Sequence, residues 1–290
     1  MSPGPGAGRT PGGPPDPDQY VLELEDTFDG TTLDPARWVP HYLPQWSSRA
    51  ASAARYTLGD GTLRLRVEEH QPPWCPDLDG QLRVSSLQTG VFSGPVGSRV
   101  GQHRFHPDAV VREAQDEQRL WTPQYGWVEM RARATDDPAA MVALWMIGFE
   151  DSPERSAEIC VAEIFGRDVR PDHALVGMGV HPFGDPAVVD EFAAHRVAID
   201  AREPHTYAVD WTPEHVDFLV DGVHVTRVAQ SPAYPMQLML DVYAFPAPDG
   251  GPPPGPYPKD VVVEHVRGYR RADGPSGLTP PDQGGSAGYS

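Results

Sequence analysis

The chain has 290 residues, with 41 acidic side chains against 23 basic ones and a formal net charge of −18. That balance argues against nucleic acid or an anionic membrane as partner, because both attract basic faces; a neutral polysaccharide or oligosaccharide suits it better. The longest apolar stretch, residues 141–149, is strand-sized and too short to cross a bilayer.

In chain order, residues 1–19 are rich in Gly and Pro and carry no apolar period. Such a segment cannot offset the entropy of ordering and is expected to be a disordered tail. It has neither the charged start nor the apolar core of a secretory signal, which leaves the cytoplasm as the default expectation. Residues 20–271 follow as one domain, and strand patterns dominate it. Leu63, Leu65 and Val67 alternate with Arg64, Arg66 and Glu68, as in a half-buried strand. Residues 93–120 form a connection longer than ordinary ones, with a short helix possible over 108–120; loops of that size are often functional, and this one is expected to wall or cover a cleft. Its His103-x-x-His106 is a poor metal motif, since no further ligands follow at useful spacing, and no metal or other cofactor is expected. Val128, Met130 and Ala132 then alternate with Trp127, Glu129, Arg131 and Arg133, giving one core face and one polar face. Trp145 points away from Leu144 and Met146, so it faces a cleft if they face the core; a core Trp is the alternative.

Ser156 to Gly166 is the most informative run. It sets Glu158 and Glu163 five positions apart among apolar residues, where unpaired charge is penalised. In a flat strand, positions i and i+5 point to opposite faces. One bulge between them would restore both carboxyls to one face. A glycosidic bond is cleaved by such a pair, one carboxyl protonated and the other ionised. Two acidic residues on a wet strand edge would fit the spacing equally well. Further along, Asp221-Gly222 between Val216–Val220 and Val223–Val225 signals a two-residue hairpin. Residues 272–290, rich in Gly, Pro and Ser, are expected to be a second disordered tail. Cys75 and Cys160 are the two cysteines, and a disulfide between them is not expected. Lysine occurs once, at Lys259, and asparagine not at all, so there is no N-glycosylation sequon.

Several of these segments, in order, resemble glycoside hydrolase family 16, the laminarinase and lichenase group. Glu158-Ile-Cys-Val-Ala-Glu163 is similar to that family's Glu-x-Asp-x-x-Glu signature, with Cys160 at the place of the Asp. Thr27–Gly30 with Leu33, Asp34 and Trp38, then Tyr125–Arg131, Ala143–Met146 and His205–Pro213, extend the likeness over about residues 20–270. The resemblance implies an all-β fold, a β-sandwich jelly roll of two curved antiparallel sheets. It implies a monomeric endo-glycosidase hydrolysing β-1,3 or β-1,3/1,4 linkages with retention, Glu158 the nucleophile and Glu163 the general acid/base. By the same resemblance Trp145, Glu129, Arg131, His181, Tyr243 and Asp241 would bind substrate, Asp241 standing where many relatives carry Asn. A cross-cleft ion pair of Glu129 with Arg131, and a structural role for His181, are the alternatives. A neutral thiol at Cys160 would grip Glu158 less firmly and raise the pKa of Glu163 less than an Asp would. A carbohydrate-binding protein with lost or weak turnover, and a transglycosylase, are the rival functions; agar- or galactan-type substrates stay open.

Overall fold

The computed structural model describes residues 13, 14 and 16–278, and their strands run from Tyr20 to Arg271. The outer sheet has eight strands in the order β14 (Val223–Val228), β13 (Val216–Val220), β12 (His205–Trp211), β7 (Gly126–Arg133), β16 (Lys259–Arg271), β3 (Thr62–Val67) and β2 (Arg55–Gly59), with β1 (Tyr20–Asp26) also paired to β16. The inner sheet has six: β11 (Glu191–Val197), β10 (Ala174–His181), β9 (Glu158–Phe165), β8 (Ala140–Gly148), β15 (Met236–Ala244) and β4 (Arg83–Gln88). A two-stranded ribbon, β5 (Gly90–Val91) with β6 (Gln118–Arg119), sits at one end. All pairings are antiparallel, and the two sheets form the curved β-sandwich of a jelly roll.

The period-two pattern explains the layers. Leu63, Leu65 and Val67 of β3 and Val128, Met130 and Ala132 of β7 point inward. They meet Leu144, Met146, Leu238, Leu240 and Val242 from the other sheet in one continuous core. Asp221 and Gly222 have φ of 49° and 75°, the left-handed pair that a two-residue hairpin needs, and they join β13 to β14 as expected. Lys259, the one lysine, is buried and donates to Asp137 at 2.5 Å, pinning the start of β16 to the loop before β8.

The opposite, concave face of the six-stranded sheet has its own apolar cluster. Ala143, Trp145, Ile147, Met239 and Tyr243 project there and are covered by Tyr42, Trp46, Trp74, Ala109 and Val111 from three loops. The long connection is therefore a wall of the concave groove. The helix considered over 108–120 does not form. Val111 donates its backbone N–H to the Ser98 carbonyl and Arg112 to that of Gln45, so neighbouring loops take the donors a helix would have used.

Two boundaries shift from expectation. Pro17–Gln19 is a 3-10 turn, and Gly13 donates to Glu129 Oε2 at 2.6 Å. At the other end Gly277 donates to Glu23 Oε2 at 2.9 Å while its carbonyl accepts from Thr122. These inner ends of the two supposed tails are held by backbone hydrogen bonds that composition does not reveal. The rest of the expected disorder, residues 1–12, 15 and 279–290, lies outside the described residues. Among the described residues no helix is long and apolar enough to cross a membrane.

Candidate active site

The two carboxylates owe their placement to a bulge in β9. Against β8, Glu158 pairs with Ile147 and Cys160 with Trp145, but Ala162 pairs with Leu144 and Glu163 with Ala143. Val161 is the extra residue. Val161 and Ala162 both belong to the core between the sheets. Residues 158 and 160 before them, and 163 after them, consequently all face the groove. The partner strand β10 shows the same slip, Gly179 opposite Cys160 and Gly177 opposite Glu163. A small cavity of about 170 Å³ receives both carboxylates, with Tyr42, His103, Trp145 and Tyr243 around them.

Glu163 is the carboxyl shifted toward its protonated form. Burial pushes its pKa up; a hydrogen bond from the Cys160 thiol pulls the other way, and the charge of Glu158 adds to the rise. Cys160 is wholly buried, and desolvation together with the two flanking carboxylates keeps it a neutral thiol. Its contact is with Glu163, whereas an Asp there was expected to steady Glu158.

Glu158 has a different neighbour, which the sequence offered only as half of a poor metal motif. His103 Nδ1, carried in by the long loop, lies 3.2 Å from Glu158 Oε1 at ion-pair distance, though off the line of a good hydrogen bond. Burial opposes a charge on His103, but Glu158 outweighs it, with Glu150 and Asp241 adding, and the imidazole pKa is raised. The ring stacks on Phe183 (centroids 4.6 Å, planes 18° apart) and meets Trp145 edge-on at 5.1 Å. Its backbone N–H donates to Glu150, whose own carboxyl burial pushes up to about 7. His103, Glu150 and Phe183 all have positive φ, at 48°, 56° and 48°. Three non-glycine residues in the left-handed region at one wall concentrate strain at this end of the groove, a pattern typical of functional sites.

Trp145 points into the groove, and its indole N–H donates to Asp241, as does the Tyr243 hydroxyl at 3.0 Å. Asp241 is fully buried, with Oδ1 left unpartnered, and desolvation pushes its carboxyl up to about 7. Tyr243, Phe245 and Phe165 then run ring to ring, centroids 6.2 and 5.7 Å apart, along the groove beyond Glu163. Phe165 lies two residues past Glu163 on the same face, so strand alternation alone could have found it. Gly177 and Gly179 let β11 pack closely beside Glu163; a Cβ on Gly177 would come within 2.5 Å of the Phe192 ring. His181 sits across from Glu158 on β10, on the groove face, but its Nδ1 pairs with Asp190 at 3.0 Å and its ring stacks on Phe192.

Glu129 and Arg131 are not part of this site. The alternation of β7 that buries Val128, Met130 and Ala132 turns both onto the outer face of the other sheet. There Glu129 lies 3.4 Å from His265 and 3.5 Å from Arg267, and Arg131 pairs with Glu264 at 2.8 Å. The expected substrate contacts are thus corrected to structural ion pairs, each with a partner on β16.

With this geometry in hand, comparison with known proteins is direct. The model of glycosyl hydrolases family 16 matches residues 119–250, which include β7, β8 and the whole bulged strand. Over that segment the chain resembles glycoside hydrolase family 16. A curated relative, the beta-glucanase of Rhodothermus marinus, is 25% identical over 180 residues, covering 52% of this chain and 58% of that protein. Among solved structures, a GlcNAcα1-4Gal-releasing endo-β-galactosidase from Clostridium perfringens superposes with a TM-score of 0.76 at 26% identity, over 92% of this chain and 66% of that one. The laminarinase from Rhodothermus marinus superposes at 0.59 and 21% identity, over 88% and 98%, and shares the fold. The chain therefore spans under two thirds of the length of the first two of these relatives.

Proposed function

We propose that the protein is a retaining endo-glycosidase that hydrolyses internal β-linkages of a glucan-like polysaccharide. The observation that carries this reading is the bulge at Val161, which turns both carboxyls into one cavity. In the first step Glu163, whose pKa burial raises, donates its proton to the glycosidic oxygen. Glu158 attacks the anomeric carbon and forms a glycosyl ester. In the second step the Glu163 carboxylate takes a proton from water, which attacks the same carbon and releases Glu158. Retention by this route requires carboxyls about 5–5.5 Å apart. His103 steadies Glu158, a task the neutral Cys160 cannot take. Trp145, Phe245 and Phe165 offer flat apolar surfaces on which sugar rings pack. The name of the Rhodothermus beta-glucanase supports a β-glucan as the first substrate to try.

A second substrate reading rests on one observation. The endo-β-galactosidase superposes at a TM-score of 0.76, well above the 0.59 of the laminarinase. A β-galactan backbone therefore belongs in the same assay. The test is release of reducing ends from laminarin, lichenan and agarose by wild-type protein and by Glu158→Gln. Activity on one of these that vanishes in the variant, while the variant still binds the polymer, supports the assignment. Equal product release by both proteins would overturn it, as would a wild type that binds sugar and never releases product.

A further inference from the structure

Beyond the wall formed by His103 and Phe183 lies a larger cavity of about 650 Å³ that the catalytic steps do not use. Its size falls in the range of small-molecule sites. It shares that wall with the catalytic cavity. Phe183 lines it and stacks on His103, while Glu150 lines it and accepts from the His103 backbone. Through His103 the cavity adjoins Glu158. Phe92 and the half-exposed Phe183 supply apolar ring surfaces there.

Two arginines, Arg99 and Arg104, also line the cavity, and neither has an ion pair or a side-chain hydrogen bond among the described residues. The acids of the cavity are already engaged. Asp151 is held by Arg119 at 3.4 Å and Arg155 at 3.1 Å, and Glu150, pushed up to about 7, carries only part of a charge at neutral pH. The general acidity of the surface is screened over about 8 Å at physiological salt. Inside the cavity the two free guanidinium groups therefore set the local sign. Guanidinium is suited to planar anions because it donates paired hydrogen bonds.

Resting on the glycosidase reading, we infer that this cavity is a sugar-binding position for a residue bearing an anionic substituent, a carboxylate or a sulfate ester. The substrate is then a substituted polysaccharide whose charged unit is seated by Arg99 and Arg104 beside Phe183, while a neutral linkage is cut at Glu158 and Glu163.

The experiment measures binding of Glu158→Gln protein, by calorimetry, to laminarin, carboxymethylated laminarin and laminarin sulfate, and to agarose oligosaccharides with and without sulfate. Each substituted polymer is compared with its own neutral backbone, and the two kinds of substituent separate carboxylate from sulfate recognition. The inference predicts that a substituted polymer binds at least about tenfold more tightly than its backbone, the scale of a hydrogen bond to a charged group. In Glu158→Gln carrying Arg99→Ala and Arg104→Ala, that ratio should fall to near one. Equal affinity for charged and neutral polymers would overturn it, as would an advantage that survives loss of both arginines, or no binding at all. The glycosidase reading has a separate readout, product release by wild type. Hydrolysis without charge preference would sink only the cavity assignment, and charge-dependent binding without hydrolysis only the catalytic one.

Discussion

Asp241→Asn isolates the cost of a buried carboxyl in the groove. Asp241 is fully buried, and its pKa rises from 3.8 to about 7 because burial disfavours the charged form. Below pH 3.8 folded and unfolded chains both hold the proton, and the group contributes nothing. Between there and about pH 7 the unfolded chain releases a proton that the folded chain keeps, so stability falls as pH rises, by about 1.4 kcal/mol per pH unit. Above pH 7 the accumulated penalty is about 4 kcal/mol. Asparagine keeps a carbonyl oxygen for the donors from Trp145 and Tyr243, has nothing to ionise, and can offer an N–H where Oδ1 now lacks a partner. Urea unfolding of both proteins at pH 4 and pH 8 is the assay. Glu150 and the other titrating groups are common to both proteins and largely cancel in the difference. The variant's advantage should grow by up to about 4 kcal/mol from the lower to the higher pH. Stability curves that stay parallel across this range would refute the assignment of the burial penalty to Asp241.

Further expectations follow from the same contacts. Cys160→Asp sets a third carboxyl against Glu163, so the basic limb of the kcat/KM profile should move up by about one pH unit; an unmoved limb would mean that position 160 does not tune the acid. His103→Gln removes the imidazole beside Glu158 and should lower kcat about tenfold with a smaller change in KM, whereas a pure KM effect would make His103 a substrate contact only. Trp145→Phe keeps the ring surface and deletes the donor to Asp241, and should raise KM while thermal stability falls slightly. Lys259→Met strands the buried Asp137 and should cost about 3–5 kcal/mol in unfolding measurements.

The fold was legible because its strands keep period-two alternation over long stretches, as in Leu63 to Val67 and Val128 to Ala132. The bulge was legible for a different reason. Two carboxylates five positions apart in an apolar run make sense on one face only if a residue is inserted between them, and Val161 is that residue. Alternation failed at Glu129 and Arg131 because it tells which residues share a face and is silent on which of two sheets borders the groove. His103 was weighed only as half of a poor metal motif because its role depends on a long loop crossing the sheet, with 55 positions separating it from Glu158 in sequence. The same holds for the ordered inner ends of the tails, where backbone hydrogen bonds to Glu129 and Glu23 leave no trace in composition.

The claim on which everything else depends is that Glu158 and Glu163 act on one anomeric centre from within a single groove. Proton NMR of the first product, recorded before mutarotation, tests it most directly. A β-linked substrate should yield the β-anomer first, the mark of double displacement through Glu158. An α-anomer would mean that water attacks directly across a wider gap, and would contradict the account.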